Sequence, residues 1–405
     1  MHVILVEPAF PANQRKFLQG LAEVGAKVSA ISEYTPDMLG ELKHVLSDFE
    51  QVRSVVHEES MIQAVRNLQR RSWVDRLEAT VEAHVMAAAH VREACGIPGT
   101  SVATTFLCRD KPAMKEFLRQ HGVPCAASTG ADNLATGLEF AARIGYPLIV
   151  KPRDAAGASG TSRVESNAEL EKAFTAYGVG QGASLALEEF IEGHEGFYDT
   201  VTIGGEIGHH FITHYYPGVL EAMRTRDVSP MFVATNRLAA PGYDEVKALG
   251  RKVIEALGIE TSATHMEWFY GPKGLKFSEI GCRPPGVGAW DLYCASNEMS
   301  VYREWAAAVV LGRTTQRPSQ RYAAGLVNLR PDRDGTITGV DGVDEMVSSL
   351  GDQIIDYHFP PVGARTQPVE AGYMANAWVR LRHPDYDQLR ELLSEVGRRV
   401  RVHAA

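Results

Sequence analysis

The chain has 405 residues, too many for one ordinary hydrophobic core, and domain-size scaling points to roughly two to four units. Hydrophobic residues make up 45% and charged residues 22%, the balance of a globular chain. The net charge of −9 argues against a nucleic-acid groove along the whole molecule but leaves room for a local basic pocket.

The N-terminus, Met-His-Val-Ile-Leu-Val-Glu-Pro, lacks the basic region and the long apolar run of a signal peptide. No stretch approaches the ~18 apolar residues of a membrane span. His2 to Val6 reads as a buried strand, Asn13 to Val24 as a helix with Phe17, Leu18 and Leu21 on one face, and Lys27 to Ser32 as a second strand. The alternation continues to Cys95 through a helix near Val81–Ala94, closed by Gly96 and Pro98. This predicts a parallel α/β domain over residues 1–105. No GxGxxG follows its first strand and no Walker A pattern occurs, so neither a dinucleotide site nor a P-loop is supported.

A second section opens at Cys108-Arg-Asp-Lys-Pro, where Asp110 caps a helix running to His121. Strands are predicted at Pro147–Lys151, Ser184–Glu189, Tyr198–Ile203 and Glu206–Thr213, then a helix at Tyr243–Leu257. A hairpin follows at Thr264–Ile280 and a helix near Met299–Leu311. The polar stretch Thr314–Arg321 reads as a boundary, giving a domain over residues 106–315 and a small α+β domain over 316–405 that ends in the helix Tyr386–Val396. The five cysteines, Cys95, Cys108, Cys125, Cys282 and Cys294, form no CxxC pair, and an odd number builds no disulfide framework. That fits a reducing, cytoplasmic setting.

The hairpin carries the first chemistry. Gly271-Pro272-Lys273-Gly274 marks its turn, and a turn centred on Lys273 sets Glu267 directly opposite Glu279. Both then share a face with His265, Phe269 and Phe277. Opposed carboxylates repel unless a cation lies between them, and hard oxygen ligands suit Mg²⁺. Two solvated carboxylates on an exposed face are the competing reading.

Lys151 closes the apolar strand Pro147-Leu-Ile-Val-Lys151, a costly place for an unpaired ammonium. After it run small residues, Gly157, Ser159 and Gly160 among them, whose backbone N–H groups suit a polyphosphate. A hairpin loop beside a snorkelling lysine explains the same residues. Leu185-Ala-Leu-Glu188-Glu189-Phe190-Ile191 ends in adjacent acids, with Glu195 shortly beyond. Arg283, four residues past Glu279, suits a substrate carboxylate or a developing oxyanion; an ion pair with a neighbouring glutamate is the alternative.

In this order the motifs resemble the ATP-grasp superfamily, most specifically from Asp110 to Gly286 and more loosely along nearly the whole chain. The Ala-rich segment Glu82–Gly99 looks like the close of the family's N-terminal domain, and Gly335-Thr-Ile-Thr-Gly339 and Gly372-Tyr-Met look like pieces of its C-terminal one. The resemblance implies an ATP-grasp fold of mixed α/β and α+β class, with a lid at about residues 140–190. It implies ATP on Lys111 and Lys151, beneath the glycine-rich loop of Gly157, Ser159 and Gly160. Glu188 would meet the adenine amino group, the backbone of Glu189 and Ile191 its ring edge alongside Phe190, and Glu195 the ribose. Glu267 and Glu279 match the ligands of one or two Mg²⁺ ions, for which Mn²⁺ can substitute, and Arg283 matches the catalytic arginine.

The subgroup resembled is the carboxylate–amine ligases, including L-amino-acid ligases. This implies small-molecule acid and amine substrates, amino acids foremost, no nucleic-acid or membrane partner, and a homodimer as one assembly. Gly281 departs from the family pattern, which has Asn, a metal ligand, two residues after the second glutamate. A biotin- or bicarbonate-type carboxylase, a purine-pathway ligase and a catalytically silent nucleotide-binding module are the competing readings. The run Pro284-Pro-Gly-Val-Gly-Ala after Arg283 counts against the first. His265, Arg224 and Arg226 are left without assigned roles.

Overall fold

The computed structural model describes residues 1–153, 160–179, 181–371 and 376–405. The N-terminal section forms a four-stranded parallel sheet in the order Leu46–Gln51, Lys27–Ser32, His2–Val6, Arg76–Glu78. Its first strand is fully buried because helices pack on both faces, as parallel sheets require. The helix Val85–Cys95 ends at Gly96, which takes the left-handed conformation at φ 66° and so supplies the stop that the sequence signals.

The helix Gln14–Glu23 docks this unit onto the rest of the chain. Phe17 inserts among Trp290, Tyr302 and Trp305, with ring centroids 5.2, 4.9 and 5.1 Å away. Those rings come from the helices Ala289–Asn297 and Val301–Leu311. Gly20, one turn further along, lets the two backbones touch: a Cβ there would lie 2.7 Å from the Tyr302 carbonyl oxygen.

An eight-stranded antiparallel sheet forms the body of the molecule. Its order is Gly274–Gly281, Ser262–Gly271, His194–Ile203, Glu206–Tyr216, Met231–Ala234, Ala323–Leu329, Ala377–His383, Ile354–His358. The last three strands lie beyond the polar stretch at 314–321, so one sheet runs through the point where the sequence changes character. One face packs Tyr198, Ile212, Met266 and Trp268 against the helices Lys111–Gln120 and Asp244–Ala256. The other packs Phe197, Val201, Phe211 and Phe232 against Trp290, Tyr293 and Trp305.

A smaller antiparallel sheet stands apart, in the order Ser128–Ala131, Leu185–Glu189, Leu148–Pro152, Ser162–Val164. The helices Leu134–Ile144 and Asn167–Ala176 pack on it. The strand Ser128–Ala131 and the helices Leu134–Ile144, Asn167–Ala176 and Ala289–Asn297 are elements the sequence reading did not list.

The hairpin departs from expectation in one respect. Glu267 pairs with Glu279 as expected, yet Gly271 pairs with Gly274 and Trp268 with Phe277, so the turn has two residues and a bulge follows Glu267. The extra residue turns Phe277 to the opposite face from the glutamates, into the core with Trp268 and Met266. The Phe277 N–H donates to Pro124 O at 2.8 Å instead of to the hairpin. Phe277 therefore does not share a face with Glu267.

Candidate active site

Between the two sheets lies the helix Lys111–Gln120, and its start is fixed by Asp110, whose carboxylate accepts from the Ala113 N–H at 2.9 Å. Lys111 and Lys115 are one helical turn apart and both are buried, so the same helix face presents two ammonium groups. Lys111 Nζ lies 3.7 Å from Glu279 Oε2 on the large sheet. Lys115 Nζ lies 2.7 Å from Glu188 Oε2 on the small one.

Lys151 completes the bridge. It sits on the strand Leu148–Pro152, on the same face as Glu188 of the neighbouring strand, with Nζ 3.0 Å from Glu188 Oε1 and 3.8 Å from Glu279 Oε2. Burial opposes the Lys151 charge, but Glu188 and Glu279 outweigh it and raise its pKa. Burial also works against the Glu188 carboxylate, yet Lys115 and Lys151 hold it down to about 2. Burial lowers the Lys115 pKa despite Glu188; with ion-pair distances this short we take the trio as ionised.

The segment leaving the small sheet is arranged by backbone. The Glu189 N–H donates to Ala127 O at 2.8 Å. Its side chain accepts from Lys273 of the hairpin turn, and from the Ala127 N–H at 3.2 Å. The Phe190 ring is covered by the Arg163 guanidinium at 4.5 Å, while Ile191 is buried. Gly160 is exposed at φ 67°, and its carbonyl accepts from the Tyr177 hydroxyl. Gly157 and Ser159 lie outside the described residues.

On the large sheet the strand His194–Ile203 begins four residues earlier than expected and brings Glu195, Phe197 and Asp199 onto the face of His265, Glu267 and Glu279. Glu195 is buried and accepts from the Val219 N–H at 2.6 Å. Burial, reinforced by the Glu267 and Glu279 carboxylates, raises its pKa to about 8. Asp199 accepts from His265 Nδ1 at 2.7 Å and from the Tyr293 hydroxyl at 2.5 Å. Burial disfavours the imidazolium, but Asp199 and then Glu267, 3.6 Å from Nε2, lift its pKa to about 9. Burial likewise opposes Glu267, which His265 holds below the ordinary carboxylate range.

Arg283 reaches back toward the N-terminal unit. Its Nε donates to Glu82 Oε2, and Nη1 to Pro284 O at 2.9 Å. Glu82 also accepts from Arg109 at 2.5 Å. Burial works against the Glu82 carboxylate, and the two arginines hold it below its usual range all the same. Arg283, Arg109, Lys111, His265 and Glu279 line one cavity with Glu82. Arg224 and Arg226 lie away from it: Arg224 donates to Thr161 O at 3.1 Å, and Arg226 pairs with Asp334 at 2.7 Å.

The donor set fits a hard divalent cation. Glu267 and Glu279 are paired across the hairpin and both are oxygen donors, the chemistry that such a cation takes.

Lys115, Asp199, Glu82 and Arg109 were not among the expected site residues. Lys115 stood one helical turn from Lys111, and Asp199 four residues from Glu195 on one strand, so both had a periodicity signal. Glu82 had none, being 201 residues from Arg283.

Residues 116–299 match the ATP-grasp domain family, so the chain carries an ATP-grasp domain. Among curated relatives it is similar to an L-arginine-specific L-amino acid ligase from Bacillus subtilis, at 27% identity over 292 residues covering 68% of either chain. Among solved structures it is similar in fold to an L-amino acid ligase from Bacillus licheniformis, with a TM-score of 0.77 and 20% identity over 100% of this chain and 98% of that one. An N5-carboxyaminoimidazole ribonucleotide synthetase from Thermotoga maritima follows at a TM-score of 0.69 and 16% identity, over 100% and 99% of the two chains. Among the described residues no helix is long and apolar enough to cross a membrane.

Proposed function

We propose that the protein is a carboxylate–amine ligase. It uses ATP to convert a substrate carboxylate to an acyl phosphate, then joins it to an amine and releases ADP and phosphate. Amino acids are the proposed substrate class, in keeping with the similarity to an L-arginine-specific L-amino acid ligase. The observation that carries the reading is the meeting of Lys111 and Lys151 at Glu279, which is paired with Glu267 across the hairpin, with Lys111 and Glu279 lining one cavity with Arg283.

Lys111 and Lys151 hold phosphate oxygens and orient the γ-phosphate for in-line attack by the carboxylate. Mg²⁺, held by Glu267 and Glu279, supplies neutralisation of the phosphate charge when bound. Gly281 offers no side-chain oxygen, so the protein's own donors are the two glutamates. Glu188, the Glu189 carbonyl and the Ile191 N–H take the adenine edge, and Glu195 a ribose hydroxyl. The amine attacks the acyl carbonyl, and the Arg283 guanidinium stabilises the oxyanion before phosphate leaves. The small sheet closes over the site and keeps water from the acyl phosphate.

The test is ADP and phosphate release from the purified protein with ATP and Mg²⁺ across a matrix of amino acids and small carboxylates, with product masses recorded. Turnover should require both an acid and an amine, and Arg283→Ala should lower kcat by about 10²–10³, as removal of an oxyanion donor does elsewhere. Tight ATP binding with no turnover for any pair would overturn the reading in favour of a nucleotide-binding module.

A further inference from the structure

Glu82 sits at the end of the N-terminal parallel unit, yet its carboxylate meets the arginine at the far end of the hairpin. It accepts from Arg283 Nε on one oxygen and from Arg109 Nη1 on the other. Arg283 is also tied through Nη1 to its neighbour's carbonyl, so two of its three nitrogens are engaged, each on a different side of the guanidinium. A guanidinium held in this way cannot swing, and its remaining Nη2 keeps one direction.

Gly281 makes this arrangement fit. A Cβ at that position would stand 3.2 Å from Glu82 Oε2 and 3.5 Å from Arg283 Nε, so any side chain there crowds the ion pair. The ATP-grasp pattern that the chain resembles has Asn at this position, whose Cβ would already press on the Glu82 carboxylate.

We propose that Glu82 is a positioning residue for Arg283, and that glycine at position 281 provides the room for it. The N-terminal unit is thereby part of the catalytic machinery, since the arginine is set only when Glu82 is docked. The role of Arg283 in this inference rests on the ligase reading above; the ion pair itself does not.

Two measurements test it. In steady-state kinetics, Glu82→Gln keeps the shape and loses the charge, and kcat should fall by about 10–100-fold, the usual effect of removing a supporting residue, while KM for ATP stays within about twofold. Glu82→Asp should recover part of kcat. Gly281→Asn should also lower kcat, and its cost should shrink when Glu82 is already Ala, because the crowded partner is gone. A KM for ATP that moves in step with kcat, or strictly additive effects at 82 and 281, would overturn the proposal and leave a structural contact only.

The second readout needs no turnover. Phenylglyoxal modification of Arg283, followed by peptide mass, should be slow in the parent and several-fold faster in Glu82→Gln. Equal rates would show that Glu82 does not hold the guanidinium. If the parent turns over no acid–amine pair, the ligase reading fails, and this rate still decides whether Glu82 holds Arg283.

Discussion

Lys115 Nζ lies 2.7 Å from Glu188 Oε2 and is 1% exposed, so the pair is shielded from water and from salt. Lys151 flanks the same carboxylate at 3.0 Å. Removing one partner of a buried pair leaves the other charge uncompensated. Lys115→Met should therefore destabilise the protein by about 2–4 kcal/mol, somewhat less than a full loss because Lys151 remains. Urea unfolding measures this, and a change within about 0.5 kcal/mol of the parent would mean the pair is not structural. Lys115→Met combined with Glu188→Leu should not regain the loss, since Lys151 then loses its 3.0 Å partner and keeps only Glu279 at 3.8 Å.

Glu195 gives the pH dependence. Its ordinary pKa of 4.5 is raised to about 8 by burial and by Glu267. The fold thus favours the neutral carboxyl. That contribution is complete below about pH 4.5 and drains away as pH rises through about 8, because the unfolded chain has released the proton by then. In EDTA, the parent should lose thermal stability across this window. Glu195→Gln should stay flatter and melt a few degrees higher at neutral pH, since the neutral amide can still accept from the Val219 N–H. The same variant should raise KM for ATP by removing the proposed ribose ligand. A parallel fall in both proteins would refute the raised pKa.

How far the sequence could be read is clearest at the hairpin. The pairing of Glu267 with Glu279 follows from counting out from Lys273, but the count works because a two-residue turn and a one-residue bulge offset each other. Phe277 lies between the turn and the bulge, where the offset is not yet made up, and falls on the other face for that reason. Local patterns such as the buried run His2–Val6, the cap at Asp110 and the stop at Gly96 are legible because one residue and its neighbours decide them. The helix Ala289–Asn297 was hidden because it is buried nearly all round and shows no polar face to set a period. Glu82 was hidden because nothing local marks it; only the docking of two units brings it to Arg283.

The two proposed metal ligands should behave differently. Glu279 faces Lys111 and Lys151 at 3.7 and 3.8 Å, whereas Glu267 faces His265 at 3.6 Å. Glu267→Gln and Glu279→Gln should each raise the Mg²⁺ requirement by at least about tenfold. Calorimetry of ATP binding in EDTA separates them. Glu279→Gln frees both lysines from a competing carboxylate and should preserve or tighten metal-free binding. Glu267→Gln should leave metal-free binding unchanged. Identical behaviour of the two variants would remove the argument that Glu279 is shared between lysines and metal.

The docking of the N-terminal unit is tested at Gly20. In an exposed helix a change from glycine to alanine gains about 1 kcal/mol from propensity. Here the added methyl would lie 2.7 Å from the Tyr302 oxygen and 2.9 Å from its carbonyl carbon, both backbone atoms that cannot turn aside. The helices must separate, and with them Phe17 from its three aromatic neighbours, an overpacking that costs about 1–3 kcal/mol. The clash should win, and Gly20→Ala should lower stability by up to about 2 kcal/mol after the propensity gain is counted. ATP affinity should hold, because the proposed nucleotide contacts all lie outside this helix. Phenylglyoxal should reach Arg283 faster, since the displaced unit carries Glu82. A variant as stable as the parent would mean that the helices part without strain and that Gly20 does not set their approach.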